Sequence, residues 1–495
     1  MVDTLIVGAG TAGCLLAARL SERPEHRVHV VEAGPVWSDV RAVPSEVLRA
    51  DVMPIGPESP WVWRYPARLA DAGPDSGSRD VDAELVRGRL LGGSGAVNGG
   101  YFVRAIAEDF AAWSAAVGGS ALWSPDAVFP VYRQIERDLD FGAAPGHGDD
   151  GPVPVRRTSN PAPAGLEFAA AAAAAGFPEI PDLNAPPESL PRIGFGPVPC
   201  NVEDGVLVGT GPACLLPVAG RPNLTVAGAI TVTRIRFRGD RAVGVEFVAR
   251  GRAGVLDADR VVVCAGAVES AALLLRSGIG DPTRLRELGI PVVAPAPVGE
   301  WFTDHPEIGV EYRRAGIARG TGVPVEYVLH HDAIEIRPYA FGFGADPDTH
   351  RVGVALMRPR AAGRLRLVSA DPTAPPRLEH RYLSSASDRD ALRAGVALAA
   401  DLIAAIPGAR LSPGWRGRVE DRALYADLAT SQHLSGTCRM GAADDERAVV
   451  DERCRVRGVR GVSVVDLSVA PVALSRGPQA TVMMLAQQVA NHFAA

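Results

Sequence analysis

The 495-residue sequence has no lysine; all 51 of its basic residues are arginine. Its net charge is −6, which argues against nucleic acid or an anionic membrane surface as the main partner. With abundant Ala, Gly and Pro, the missing lysine reads as GC-rich codon usage in a bacterium. Cysteine is scarce too. Cys14, Cys200, Cys214, Cys264, Cys438 and Cys454 form no C-x-x-C. That pattern is poor for zinc and for a disulfide framework, and fits reduced thiols in a cytosol. The N-terminus has no basic n-region, so no secretory leader is expected. No apolar run reaches the ~20 residues of a membrane span. The expected location is cytoplasmic, with peripheral attachment at the inner face of the membrane left open.

What remains is ordinary globular composition, 47% hydrophobic and 22% charged. The length predicts two or three domains at roughly 100–200 residues each. "DTLIVGAGTAGCLLAARLSERPEHRVHVVEAG" reads as strand, glycine turn, helix and strand, a βαβ opening to an α/β domain. Residues 51–80 are rich in Pro, Gly, Ser and Asp around Trp61 and Trp63, and read as an exposed excursion or lid. "RPNLTVAGAITVTRIRFRGDRAVGVEFVARG" holds strands with a turn at Gly239–Asp240. "DADRVVVCAGAVESAALLLRSGIG" returns to strand–turn–helix. From about 308 to 383 alternating strands predict a second, mostly antiparallel domain. "GVSVVDLSVAP" and "ATVMMLAQQVANHF" are again strand, then helix. The first domain is therefore discontinuous in the chain.

Gly8, Gly10 and Gly13 form G-x-G-x-x-G between strand and helix. Glycine permits the tight turn and lets backbone approach a pyrophosphate seated on the helix N-terminus. Thr11 and Ala12 lie in that turn. Glu32, followed by Ala33, ends the next strand where an acid bonds a ribose hydroxyl. An acid there disfavours a 2′-phosphate, but the motif does not separate NAD from FAD. "GRLLGGSGAVNGGYFVRA", residues 88–105, is too glycine-rich for a regular element. Gly92, Ser94, Gly95, Asn98 and Gly99 would turn backbone N–H groups toward an anion or a flat ring. Leu90, Leu91, Val97 and Phe102 mark the loop as packed, not free.

These stretches resemble a known family. Residues 88–105 are similar to the first signature of the glucose–methanol–choline (GMC) oxidoreductases. "GAVESAALLLRSGIG" is similar to the second, departing at Ala271. "SQHLSGTCRMG", "VVDERCRVRGVRGVSVVDLSVAP", "VGEWFTDHP" and "RLRLVSADPTAPPRLEHRYL" match in order and spacing. Within the family, "GGSGAVNGGYF", "IEIRPYAFGF" and "VGVALMRPRAAGR" resemble the GMC dehydrogenase of the mycofactocin system.

The resemblance implies the GMC fold. That is an α/β architecture with a discontinuous Rossmann-like FAD-binding domain (1–155, 196–300, 431–495) and a substrate domain with a mostly antiparallel sheet (156–195, 301–430). It implies FAD, with the 92–98 loop along flavin and pyrophosphate, Val232 at the adenine, and Ala265, Asp466 and Leu467 near the flavin. Some members tether FAD through a His; Val97 stands there, so the FAD is expected to be non-covalent. No metal is expected. The implied reaction is oxidation of a small-molecule alcohol, with His433 as the base. Mycofactocinol is the expected substrate and a respiratory-chain component the electron acceptor. Choline or an aliphatic alcohol is the alternative, and an FAD-containing hydroxynitrile lyase the alternative from another class. Members carry a second His or Asn about 45 residues after the base, and alignment of the last helix puts Gln479 there. A shifted register would bring Ser475 or Arg476 instead. His305 reads as packing or turn. His330 and His331, adjacent on a strand, point to opposite faces. Glu335, Arg337 and Tyr339 share a face, either of the substrate cavity or of a salt-bridged surface.

Overall fold

A computed structural model describes residues 2–71, 80–316, 320, 322–340, 346–417 and 419–493. Strand β1 (Val2–Val7), helix α1 (Thr11–Leu20) and strand β2 (Val28–Val31) form the opening unit. Both strands are apolar on both faces, as parallel strands covered by helices must be. Leu15, Leu16, Ala17 and Cys14 of α1 are buried against them.

The first sheet runs in the order Leu224–Ala227, β2, β1, Arg252–Val263, Arg241–Ala249, Ile230–Arg238, with Val462–Val464 also on Arg252–Val263. The long strand 252–263 changes role midway. Residues 252–257 pair antiparallel with 244–249, and residues 258–263 lie parallel to β1. Parallel pairing of 261–263 with 462–464 brings the C-terminal segment back to the opening strand. The turn expected at Gly239 is present, with φ +60°.

A second sheet is antiparallel throughout, in the order Arg410–Leu411, Pro306–Arg313, Thr349–Leu356, Ile334–Pro338, Tyr327–His331, Gly194–Pro197. Leu428–Thr430 also pairs with Pro306–Arg313. Helix Ala386–Ala404 covers it through Gly395, where a Cβ would come within 2.9 Å of Val354.

Two expectations change. Part of the 51–80 excursion is a strand, Val62–Ala70, paired with Val81–Gly88; residues 72–79 lie outside the described residues. Tyr65, Ala67 and Leu69 alternate inward while Pro66 stays exposed. Strands Arg364–Arg366 and Arg377–Glu379 then join this pair instead of the second sheet. Among the described residues no helix is long and apolar enough to cross a membrane. All six cysteines are buried and unpaired.

Candidate active site

Two glycine segments cross at the start of α1. Gly92 N–H donates to the Ala9 carbonyl at 2.7 Å. Gly93 lies so near Gly10 that a Cβ on it would reach the Gly10 Cα at 2.8 Å. Gly13 is required by close approach: its Cβ would stand 2.0 Å from the Gly8 carbonyl oxygen. Gly10 is different. Its φ is −78°, and a Cβ there would meet nothing closer than 3.8 Å. Nothing in the chain demands glycine at that point, so the open space suits a ligand's close approach. Gly10 caps α1 without a side-chain bond, and no acid occupies the first turn. The first-turn N–H groups of Thr11, Ala12 and Gly13 are therefore left for an anion.

Glu32 is buried beside this turn. Its two oxygens accept from Ala9 N at 2.8 Å and Gly34 N at 2.9 Å. Each retains a lone pair, so the carboxylate both braces the turn and can still receive a hydroxyl. Burial raises its pKa, against the backbone N–H groups of Gly34, Ala9 and Ala33. Ile230 N–H donates to the Glu32 carbonyl at 2.9 Å. That contact starts the strand carrying Val232 alongside Glu32, and the strand's register breaks between Val232 and Arg234. In the second glycine loop Ser94 Oγ accepts from Gly88 N at 3.0 Å and Asn98 Oδ1 from Gly100 N at 2.9 Å. Gly99 abuts Pro324, and Val97 is buried. Asp466, also buried, accepts from Gly266 N at 2.9 Å, Ser270 Oγ at 2.5 Å and Ser468 N at 2.9 Å. It thereby ties Ala265 and Leu467 to one corner, where Ala265 N–H is held by Ser270 Oγ at 3.1 Å.

His433 lies on an irregular segment paired with residues 303–305. Thr303 and Ser435 exchange backbone hydrogen bonds, and Ser431 N–H donates to the His305 carbonyl. One oxygen of buried Asp304, Oδ1, accepts the N–H of both His305 and His433 at 2.8 Å. Its other oxygen takes Thr430 Oγ1 at 2.8 Å and His380 Nε2 at 3.2 Å. Burial works against the Asp304 charge, but His380 and Arg87 outweigh it and hold its pKa well below the usual range. So anchored, the two rings meet edge-on, Nδ1 to Nδ1, at 2.9 Å. Burial lowers the pKa of His305, and the Leu474 backbone works the other way by favouring a proton on the ring. Burial, then the neighbouring His305 and Arg337, holds His433 well below its ordinary pKa of 6.5. Its imidazole is neutral at neutral pH.

Gln479, expected to hold the substrate oxygen beside His433, makes no hydrogen bond to that histidine among the described residues. Gln479 opens the final helix, Gln479–His492, and its Oε1 accepts from Thr11 Oγ1 at 3.3 Å. Its amide also lies against Gly95, where a Cβ would stand 2.7 Å from Nε2. Nε2 is buried with no hydrogen-bond partner among the described residues. Spacing along the chain misled because residues 474–477 already pass the histidine pair: Leu474 faces His305, and Gly477 abuts Tyr101. The partner of His433 is His305, from 128 residues upstream. The one signal for it was that "TDHP" stood in a family-like block.

Around the pair lies a buried polar network. Glu335 accepts from Tyr101 Oη at 2.9 Å and meets His330 Nε2 at 3.0 Å. Arg337 donates to Glu307 at 2.8 Å and Ser431 Oγ at 2.6 Å, and Tyr339 Oη donates to Glu307 at 2.7 Å. Glu335, Arg337 and Tyr339 thus share an inward, ion-paired face. His331 points the other way, edge-on to Phe177. Trp61 donates to Glu46 and Trp63 stacks under Arg89, which places both at the rim of the glycine loop.

The α/β sheet with a glycine turn on α1, joined to an antiparallel sheet with a histidine pair at the junction, defines a class of flavin oxidoreductase. The GMC oxidoreductase family signatures match residues 2–307 and 359–486, and the chain belongs to that family of FAD-dependent enzymes. An uncharacterized GMC-type oxidoreductase in the thcA 5′ region of Rhodococcus erythropolis is 40% identical over 98% of this chain and 97% of its own length. Mitochondrial choline dehydrogenase of Mus musculus is 31% identical over 98% of this chain and 88% of its own. Among solved structures, pyridoxine 4-oxidase from Mesorbium loti superposes with a TM-score of 0.90 at 28% identity, covering 100% of this chain and 99% of that one.

Proposed function

We propose that the protein oxidises an alcohol group, with His433 taking the hydroxyl proton. The 2.9 Å contact between the Nδ1 atoms of His305 and His433 carries the reading. Two neutral rings cannot both donate there, so one must accept. The Leu474 backbone favours a proton on His305, and we assign that proton to His305 Nε2, which leaves its Nδ1 as the acceptor. His433 then carries its proton on Nδ1, and its Nε2 lone pair is free for a substrate hydroxyl. Asp304 fixes both backbones, and the ring-to-ring contact fixes the orientation. Bound FAD would supply the acceptor for the hydride leaving the carbinol carbon.

Gly10, Thr11, Ala12 and Gly13 suit the pyrophosphate, Glu32 the ribose and Val232 the adenine. Gly92, Ser94, Gly95, Val97, Asn98 and Gly99 run along the cofactor, with Ala265, Asp466 and Leu467 at the flavin end. Gln479, through its unpartnered Nε2, is assigned to the cofactor and not to the substrate oxygen. With Val97 at the tethering position, FAD is held non-covalently, so acid denaturation releases it into solution; flavin that stays with the precipitate refutes this. Resemblance to the mycofactocin-system dehydrogenase makes mycofactocinol the substrate of choice, with electrons passed to a respiratory-chain acceptor at the inner face of the membrane. Similarity to choline dehydrogenases favours choline as the second substrate. Anaerobic mixing with each, followed by flavin absorbance, tests the reading. Bleaching is expected, slowed about 10²–10⁴-fold in His433→Ala. No bleaching by mycofactocinol would remove that substrate, and none by any alcohol would remove the function.

A further inference from the structure

One buried cation takes no part in the proton relay. Arg476 is 4% exposed. A guanidinium carries five N–H donors, and here Nη1 donates to the Ser475 carbonyl at 2.8 Å while no described carboxylate forms an ion pair with it. The acid whose charge it faces is Glu335. Tyr101 and His330 share one oxygen of that carboxylate, and the other lies 3.4 Å from Arg337 Nε with no hydrogen bond among the described residues, so Glu335 meets Arg476 through its charge alone. Burying a charge without a hydrogen-bonded partner is costly, so a ligand or solvent must answer it.

Arg476 lines a cavity of about 370 Å³, a size that suits a small molecule. Arg104, Arg192 and Arg358 line it too, but each has a partner: Glu136, Glu108 and Asp109 respectively. Against the four cations the lining offers two acids, Glu108 and Asp332, while Phe129 and Leu183 give it an apolar wall. Neither histidine lines the cavity, but the segment 474–477 joins the two places along the chain. Leu474 faces His305, Arg476 lines the cavity, and Gly477 abuts Tyr101.

We propose that this cavity binds a carboxylate at Arg476, and that the alcohol substrate carries this anion at the end away from its reacting hydroxyl. The second half rests on the alcohol-oxidation reading and excludes choline, whose far end is a cation; the first half does not rest on it. The geometry is that of a cation-rich slot with an apolar wall and one guanidinium without an ion-pair partner, which receives a planar carboxylate through two parallel N–H donors.

Binding and turnover test the two halves separately. The holoenzyme is titrated with benzoate and with benzamide, read by flavin absorbance and by thermal shift. Benzoate binds more tightly, by roughly ten- to hundredfold. The preference vanishes in Arg476→Gln and partly returns in Arg476→Lys, whose recovery guards against misfolding. Equal affinity for acid and amide, or an unchanged preference in Arg476→Gln, overturns the site. Anaerobic flavin reduction by 4-(hydroxymethyl)benzoate is then compared with its methyl ester. The acid should have the lower KM in the wild type, and Arg476→Gln should raise it to that of the ester. An ester used as well as the acid overturns the substrate half while leaving alcohol oxidation standing. Arginine-dependent benzoate binding with no reduction by any alcohol leaves the site standing and removes the function.

Discussion

At the residue scale the decisive arrangement is one carboxylate oxygen holding two histidines. Asp304 Oδ1 receives both backbone N–H groups and so fixes both backbones by buried, charge-assisted bonds, while the Nδ1–Nδ1 contact between the rings sets their orientation. The pH dependence follows. A base works only when neutral, and His433 is held well below 6.5 by burial, by His305 and by Arg337. The rate of flavin reduction should keep its plateau from neutral pH down through the ordinary histidine range and fall only in stronger acid. Replacing His305 by Ala removes one depressing influence, so the acid limb moves toward higher pH. It also frees the His433 tautomer, so the plateau drops by about 10–100-fold. Stopped-flow reduction across pH reads both. A His305 that merely packs would lower stability without moving the limb.

At the scale of elements, the glycine turn separates what the chain needs from what a ligand needs. Gly13 lies against the Gly8 carbonyl, whereas Gly10 has room for a methyl group. Gly13→Ala should therefore disturb the turn itself and lower stability. Gly10→Ala should fold with near-normal stability yet lose FAD, seen as a lower flavin-to-protein absorbance ratio and a weaker Kd on reconstitution. Full flavin content in Gly10→Ala would mean that the open space serves no ligand. This turn was legible in the sequence because strand, glycines, helix and Glu32 are contiguous. The strand Val62–Ala70 was not. Its turn-forming neighbours and Pro66 argue locally for a loop, and its pairing with Val81–Gly88 and with 378–379 is invisible to local pattern. Gln479 failed for a related reason. A count of residues from His433 ignores how many the loop through Leu474 and Gly477 spends in passing the site. For His305 the family-like block around "TDHP" gave the position but not the partner, because its pairing with His433 depends on a register, Thr303 against Ser435, that no spacing rule carries.

At the scale of the whole molecule, a buried ionic centre ties together segments that lie outside both large sheets, from Glu136 to Arg157 and at Asp182. Glu136, Asp138 and His147 converge within 4.8 Å. That spacing would suit a metal, but cations of the chain already occupy the oxygens. Arg104 pairs with Glu136, and Arg157 bonds Asp138 at 2.6 Å and Asp182 at 2.7 Å. His147 joins them, with Nε2 2.8 Å from Asp182 and Nδ1 3.1 Å from Asp138. Burial opposes its charge, yet the bonds to Asp138, Asp182 and Glu136 push its pKa up to about 10. In the unfolded chain an imidazole titrates near ~6.5. Because the folded value is the higher one, the stabilisation is complete below that pH. It declines as pH rises and is lost through about 10. His147→Ala leaves three carboxylates facing two arginines, and removing one partner of a buried ionic group costs about 3–5 kcal/mol. Thermal unfolding of wild type and variant should differ most near pH 6 and converge as pH approaches 10. A gap that stays constant with pH would mean that His147 holds these segments by packing on Phe141 and not by its charge.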